Sequence, residues 1–247
     1  MRADRVALRD VRVVLLDIEG TTTPVEFVQR ILFPYARARV REFLEQHAAD
    51  PEVRSDLALL SAERAAEPSQ QSGLPPWERA EEVASAVAYV YWLMDRDRKS
   101  TGLKSLQGKI WEAGYRAGEL RGRAQVYPDV APALARWRNE GREIAVFSSG
   151  SAQAQRNLFA NATAGDLTPF IRGYFDTTIG PKMERQSYER IAAALGQRPS
   201  AVLFLSDVSA ELDAARAAGM RTALCAREAE GAGPAGGHDT IRSFDEV

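Results

Sequence analysis

Val11 to Leu16 (VRVVLL) is a short β-branched run that stops at Asp17 and gives way to Gly20 and three threonines. It reads as a buried strand whose carboxyl end opens into a loop. The next segment is not a second strand. From Val25 to about Arg123 the apolar residues recur at helical spacing: Phe27, Ile31, Leu32 and Tyr35, then Val83, Val87, Val90, Tyr91 and Met94, then Leu103, Leu106, Ile110 and Tyr115. No strand is expected there, only helices interrupted by a Pro-, Gly- and Ser-rich loop at Glu67 to Trp77. A lone strand separated from any partner by about a hundred helical residues leaves few architectures open.

Beyond Tyr127-Pro128-Asp129 helices and strands alternate. The spacing predicts a helix to about Glu140, a strand at Ile144 to Phe147, helices from Ala152 and over Glu184 to Leu195, a strand at Val202 to Leu205, a helix from Ala210 to Ala218 and a strand near Thr222 to Leu224. Strands separated by helices argue for a parallel sheet covered on both faces. The expected fold is therefore α/β, a doubly wound parallel-sheet core made of residues 1–24 and 124–247, with an inserted helical cap over residues 25–123. Two such bodies suit an enzyme that closes over a small substrate. The Gly-rich stretch EGAGPAGGHD near the end reads as a surface loop.

Composition removes several alternatives. The 247 residues are 45% hydrophobic and 27% charged, an ordinary globular balance. Thirty-two basic against 34 acidic residues give a net charge of −2, too little positive field for nucleic acid or an anionic membrane to be the main partner. Cys225 has no second cysteine to bond, and His47 and His238 are too few for a soft-metal site. The amino-terminal apolar stretch is broken by Arg and Asp, unlike a signal peptide, and Val83 to Met94 is too short to span a bilayer. A cytoplasmic protein is expected. Only Lys99, Lys104, Lys109 and Lys182 are lysines, so the other 28 of the 32 basic residues are arginines, and each lysine invites a question.

In parallel sheets ligands bind beyond the carboxyl ends of the strands. Three expected strands end in polar clusters: Leu16 runs into Asp17-Ile18-Glu19-Gly20-Thr21, Phe147 into Ser148-Ser149-Gly150-Ser151, and Leu205 into Ser206-Asp207. Asp17 and Asp207 together would form a hard oxygen site of the kind Mg²⁺ prefers, completed by water and substrate oxygens. Ser148 to Gly150, where a helix begins, would form an anion seat, so a phosphate is the natural ligand. Each feature alone has a plainer explanation: Asp after a strand is commonly a turn former, Ser and Gly are ordinary loop residues, and Asp207 with Glu211 could cap the following helix. Lys182, beside an expected helix start, is an unfavourable placement for an idle cation. Their joint occurrence in this order outweighs the separate explanations.

That ordered set, DIEGTT, FSSGS, Lys182 and LFLSD, resembles the haloacid dehalogenase-like superfamily. The superfamily's phosphatases usually carry Asp two residues after the nucleophile, where this chain has Glu19. The Asp-Ile-Glu-Gly-Thr form, with LKSLQGKIWEAGY, FDTTIGPKMERQSY and LFLSDVSAELDAA, is similar to the enolase-phosphatase (acireductone synthase) family of methionine salvage, from about Val13 to Leu224.

The resemblance implies a Mg²⁺-dependent phosphoric monoester hydrolase with one metal ion per subunit, acting as a monomer. Its substrate would be a small phosphorylated diketone, 2,3-diketo-5-methylthiopentyl 1-phosphate, enolised and then dephosphorylated. Asp17 would be the nucleophile and Glu19 the proton donor and acceptor. Metal contacts would come from Asp17, the Glu19 backbone carbonyl and Asp207, and phosphoryl contacts from Ser148, Ser149 and Lys182. A dianionic phosphate with ionised Asp17 and Asp207 gives −4 when Glu19 is protonated, against +3 from Mg²⁺ and Lys182, so backbone dipoles need absorb only a small remainder. The base for enolisation is left open among Glu19 and an acidic or lysine side chain of the insert, where Lys99, Lys104 and Lys109 lie together, with Lys104 and Lys109 in the segment that carries the resemblance. Two other readings keep the same residues: a phosphatase for another small sugar phosphate, and a phosphate-binding module without turnover.

Overall fold

The computed structural model describes residues 8–68, 70–98, 100–227 and 236–247. In chain order the elements are β1 (Val13–Leu16), α1 (Val25–Phe27), a π-helical turn (Val28–Leu32), α2 (Phe33–His47), α3 (Pro51–Ala66), α4 (Glu82–Met94) and α5 (Thr101–Arg116). After these come α6 (Val130–Asn139), β2 (Glu143–Phe147), α7 (Ala152–Ala160), β3 (Gly173–Phe175), α8 (Arg185–Ala194), β4 (Val202–Ser206), α9 (Ser209–Ala217), β5 (Arg221–Cys225) and β6 (Asp239–Ile241). The chain separates into two compact units, Met1–Val28 with Leu120–Val247, and Gln29–Glu119. The second of these is four residues shorter at each end than the 25–123 insert expected from the sequence.

The first unit holds a six-stranded sheet in the order β3-β2-β1-β4-β5-β6, and every neighbouring pair is parallel. All four residues of β1 are completely buried, as a central strand covered on both faces requires. Leu16 lies opposite Val146 on one side and Leu205 on the other, so β1, β2 and β4 end at nearly the same level. The strand order reverses at β1, the place where doubly wound sheets open a crevice. The apolar patterning predicts neither β3 nor β6. Each has three residues and sits at a sheet edge, and neither carries the β-branched run that marks a buried strand. The Gly-rich stretch falls largely outside the described residues, and its last residue, Asp239, opens β6.

One side of the sheet packs Leu15, Phe147 and Phe204 against Tyr188, Ile191 and Leu212. The Tyr188 ring lies 5.6 Å from that of Phe147 and 5.2 Å from that of Phe204. Its hydroxyl donates to the Lys182 carbonyl at 2.7 Å, so a core aromatic fixes the backbone of the segment before α8. Tyr188→Phe should leave that carbonyl without its partner at a cost of about 1–3 kcal/mol, measurable as a lower urea midpoint with little change in the folded circular dichroism.

The carboxyl-terminal segment is tied to the β1 loop by Arg227. Its guanidinium pairs with Asp129 at 2.5 Å, and the two side chains are only 6% and 11% exposed. Asp129 also accepts from the Phe244 N–H and the Ser243 hydroxyl. Burial alone would raise the Asp129 pKa; these donors and the Arg227 charge outweigh it and hold the carboxyl below its usual 3.8. A depressed carboxylate adds stability above the unfolded pKa and loses it as pH falls through the folded one. Urea midpoints of wild type and Asp129→Asn should therefore differ most above about pH 4 and converge on further acidification.

The second unit packs α2, α3, α4 and α5 around Val40, Leu44, Leu57, Val90, Leu106 and Ile110. Gly102 lets α5 approach α3, since a Cβ there would sit 2.8 Å from Leu60 Cγ. Glu63 of α3 accepts from the N–H groups of Thr101 and Gly102 and so caps α5. Lys109 bridges the same two helices, with Nζ 2.6 Å from Asp56 and 2.9 Å from Ser105. That ion pair accounts for one of the lysines considered for proton abstraction; Lys99 lies outside the described residues. Among the described residues no helix is long and apolar enough to cross a membrane.

Candidate active site

The site begins where β1 stops. Asp17 N–H donates to the Leu205 carbonyl at 3.0 Å, continuing the sheet by one residue before the chain turns. The Ile18 carbonyl then accepts from the N–H groups of Thr21, Thr22 and Thr23, and Gly20 N–H donates to the Thr23 carbonyl at 2.8 Å. Thr22 Oγ1 donates to the Asp17 and Ile18 carbonyls, each at 3.2 Å. The three threonines are fully buried, and of their hydroxyls it is that of Thr22 which bonds the loop's own backbone. The result holds Asp17 at 4% exposure and leaves Glu19 exposed.

Gly20 has φ of +70°, and a Cβ on it would lie 2.2 Å from Asp207 Oδ2. The end of β4 therefore meets the β1 loop at a position that has no room for a side chain. Gly20→Ala should cost about 1–3 kcal/mol from backbone strain alone, with the Asp207 carboxylate displaced as well. A urea titration measures the first effect.

Lys182 reaches the same place from the loop before α8. Its Nζ lies 2.6 Å from Asp17 Oδ1 and 2.6 Å from Glu211 Oε2, with all three side chains nearly buried. The sequence offers Glu211 only as a candidate helix cap. In the structure its side chain turns inward from α9 to Lys182 and also accepts from Ser206 Oγ at 3.0 Å. Desolvation opposes the charge on Lys182, but Asp17 and Glu211 overcome it and raise the Lys182 pKa. Burial and Asp17 push Glu211 upward, partly offset by Lys182. Asp207 is pushed up to about 6 by burial first and by Asp17 second.

At the end of β2, Ser148 is buried and Ser149 exposed. Ser148 Oγ accepts from Gly150 N–H at 3.2 Å, which leaves its own proton to donate. Ser151 caps α7 by accepting from Ala154 N–H, and Ala152 N–H is taken by Asp176 at 2.9 Å. Gln155 Nε2 donates to the Gly150 and Phe175 carbonyls and braces the loop from below. Among the described residues no hydrogen bond links Ser148 or Ser149 to Asp17 or Lys182. The structure thus brings Asp17, Lys182, Glu211 and Asp207 together and sets the serines on the adjoining strand end.

Asp17, Asp207 and Glu211 carry −3 when ionised against +1 from Lys182, a net of −2 before Glu19 is counted. Burial is the first cause of the elevated Asp207 pKa and the Asp17 charge the second, and the local negative excess opposes an anionic ligand unless positive charge is added. Among the described residues no three His, Cys, Asp or Glu side chains converge as a ready metal cage. Two hard carboxylates with an electrostatic deficit do fit a divalent cation that takes its remaining ligands from carbonyl, water and substrate.

A family model described as haloacid dehalogenase-like hydrolase matches residues 11–219. The chain is 56% identical over 233 residues to an enolase-phosphatase E1 of Synechococcus elongatus, covering 94% of this chain and 96% of that one. It is 48% identical over 237 residues to an enolase-phosphatase E1 of Azotobacter vinelandii, covering 96% and 97%. Among solved structures, the UTR4 protein of Saccharomyces cerevisiae matches with a TM-score of 0.73 and 33% identity, over 96% of this chain and all of that one.

Proposed function

We propose that this chain, which belongs to the haloacid dehalogenase-like hydrolases and within them to the enolase-phosphatase E1 family, is a Mg²⁺-dependent enolase-phosphatase of methionine salvage. Its substrate is 2,3-diketo-5-methylthiopentyl 1-phosphate and its products are the acireductone and phosphate. The observation that carries the reading is the Asp17 carboxylate held 2.6 Å from a buried Lys182 at the switch point of a parallel sheet.

Asp17 attacks phosphorus in line with the leaving oxygen: its Oδ–P bond forms as the P–O bond to the substrate carbon breaks. Glu19, exposed at the rim, gives a proton to that leaving oxygen. It then takes one from the water that attacks the aspartyl-phosphate, which frees phosphate and restores Asp17. Lys182, with the Ser148 hydroxyl and Ser149, holds the phosphoryl oxygens. One Mg²⁺ would be held by Asp17, Asp207 and the Glu19 backbone carbonyl, where it supplies charge neutralisation. Glu211 changes the charge count made without it: ionised, it brings the loaded site to −5 against +3, and protonated, it restores −4 against +3. Burial and Asp17 bias Glu211 toward the second state, and Lys182 biases it toward the first. The helical unit serves as the cap, and the enzyme works as a monomer in the cytoplasm.

Incubation of the purified protein with the diketo phosphate and Mg²⁺, following enol absorbance and free phosphate together, tests the reading. Both signals should appear and both should vanish with a chelator. Phosphate without enol would make the protein a plain phosphatase, and neither signal with ligand retained would leave only a binding module.

A further inference from the structure

Arg227, the first polar side chain after β5, is used by none of these steps, yet it is among the most buried charges near the site. Its Nε and Nη2 both donate to the Thr21 carbonyl, at 3.0 and 2.8 Å. Its Nη1 donates to Asp129 at 2.5 Å and to the Arg242 carbonyl at 3.4 Å. The guanidinium carbon lies 4.6 Å from the Tyr127 ring centroid and 4.3 Å from that of Phe244. A buried cation with this many directed bonds is an inefficient source of bulk stabilisation, because an apolar side chain of similar volume would avoid the desolvation penalty. What an apolar side chain could not do is fix one carbonyl in direction as well as position.

The carbonyl concerned belongs to the loop that carries Asp17 and Glu19. The Ile18 carbonyl already serves three N–H groups, the Thr23 carbonyl is satisfied by Gly20 inside the loop, and the Thr22 carbonyl by Tyr127 N–H at 3.0 Å. The Thr21 carbonyl points away from the loop's own donors and meets Arg227 instead. Tyr127, which takes the neighbouring carbonyl, is also one of the two rings that hold Arg227. The Thr22 N–H of the same peptide unit stays on the Ile18 carbonyl, so loss of the guanidinium would not unfold the loop; it would leave the Thr21 carbonyl without the two donors that set its direction, in a turn where Glu19 bridges Thr23.

We propose that Arg227 is a positioning residue for phosphoryl transfer: its paired N–H donors on the Thr21 carbonyl lock the 18–23 loop so that Asp17 and Glu19 keep their mutual geometry. The inference rests on the phosphatase reading. It concerns turnover rather than substrate capture, since Ser148, Ser149 and Lys182 hang on other elements.

The test is steady-state kinetics of full-length wild type, Arg227→Lys and Arg227→Ala, using the diketo phosphate and p-nitrophenyl phosphate, with urea midpoints for each. Arg227→Ala should lower kcat about 10- to 100-fold with KM within about twofold of wild type, and millimolar methylguanidinium should restore part of kcat in that variant alone. Arg227→Lys, which keeps a charge beside Asp129 but loses the planar fork, should fold and still show the same split at smaller size. A folded Arg227→Lys with wild-type kcat, or a loss of rate that only tracks the unfolded fraction and ignores methylguanidinium, would overturn the proposal. Wild type inactive on the diketone but active on p-nitrophenyl phosphate would sink the substrate reading alone and leave the Arg227 comparison readable. Wild type inactive on both would sink the phosphatase reading and this inference with it.

Discussion

Asp17→Asn should lower phosphate release by about 10⁴-fold or more, the scale of effect seen when a covalent nucleophile is removed, while enol absorbance still rises. An amide cannot attack phosphorus to form the acyl-phosphate, yet it is nearly isosteric with the carboxylate. Folding should survive, because Lys182 keeps Glu211 at 2.6 Å and the loop bonds of Thr22 use the Asp17 carbonyl rather than its side chain. Loss of one of two carboxylates facing Lys182 also relieves part of the local negative excess. Stopped-flow absorbance with parallel phosphate assay separates the two chemical steps. No enol in this variant would mean that enolisation depends on the nucleophile itself, and phosphate released at the wild-type rate would remove Asp17 from its role.

Lys182→Ala should cost about 10²- to 10³-fold in kcat, as loss of a preorganised charge at a transferring phosphoryl group does. Sequence alone, with Lys182 read as a single cation beside a phosphate, suggests that turnover would fall far more than folding is altered. The structure changes that expectation: Lys182 separates two buried carboxylates, and removing it leaves both without a counter-charge. Breaking such a buried arrangement costs about 3–5 kcal/mol. The double variant Lys182→Ala with Glu211→Gln should recover much of the lost urea midpoint but none of the lost rate. Recovery of both would show that Lys182 acts only as a structural counter-ion; recovery of neither would show that Glu211 is not its partner in folding.

The parts of the site that are legible in the sequence are those fixed by chain order. Asp17, Ser148 and Asp207 come after strands whose apolar runs are unmistakable, and parallel pairing puts those ends side by side whatever the helices do. Glu211 escapes such a reading because an acid in the first turn of a helix has an ordinary explanation in the dipole. The signal that could find it is positional: Glu211 shares its helix face with Ala214 and Ala215, both buried, so the carboxylate has to turn inward. Arg227 escapes for a different reason. With four lysines among 32 basic residues every lysine stands out, and no single arginine does. The edge strands β3 and β6 are invisible because three-residue segments beginning with Gly173 and Asp239 carry no periodicity.

The central strand has a further consequence for how the chain acquires its shape. Val13 pairs with Glu143 and Val202, so both neighbours of the most buried strand are encoded well over a hundred residues downstream. The helices α2 to α5 make their contacts among nearby residues and can condense while synthesis continues. The VVLL run must wait in the meantime, an apolar β-branched segment with no partner, until β2 and then β4 leave the ribosome. Closing so long a loop adds little to the equilibrium free energy, because the entropic cost grows only with the logarithm of length. Its weight falls on the rate: the step that creates the Asp17 site is the slow, non-local one, and the interval before it is when this chain most needs protection from its own kind.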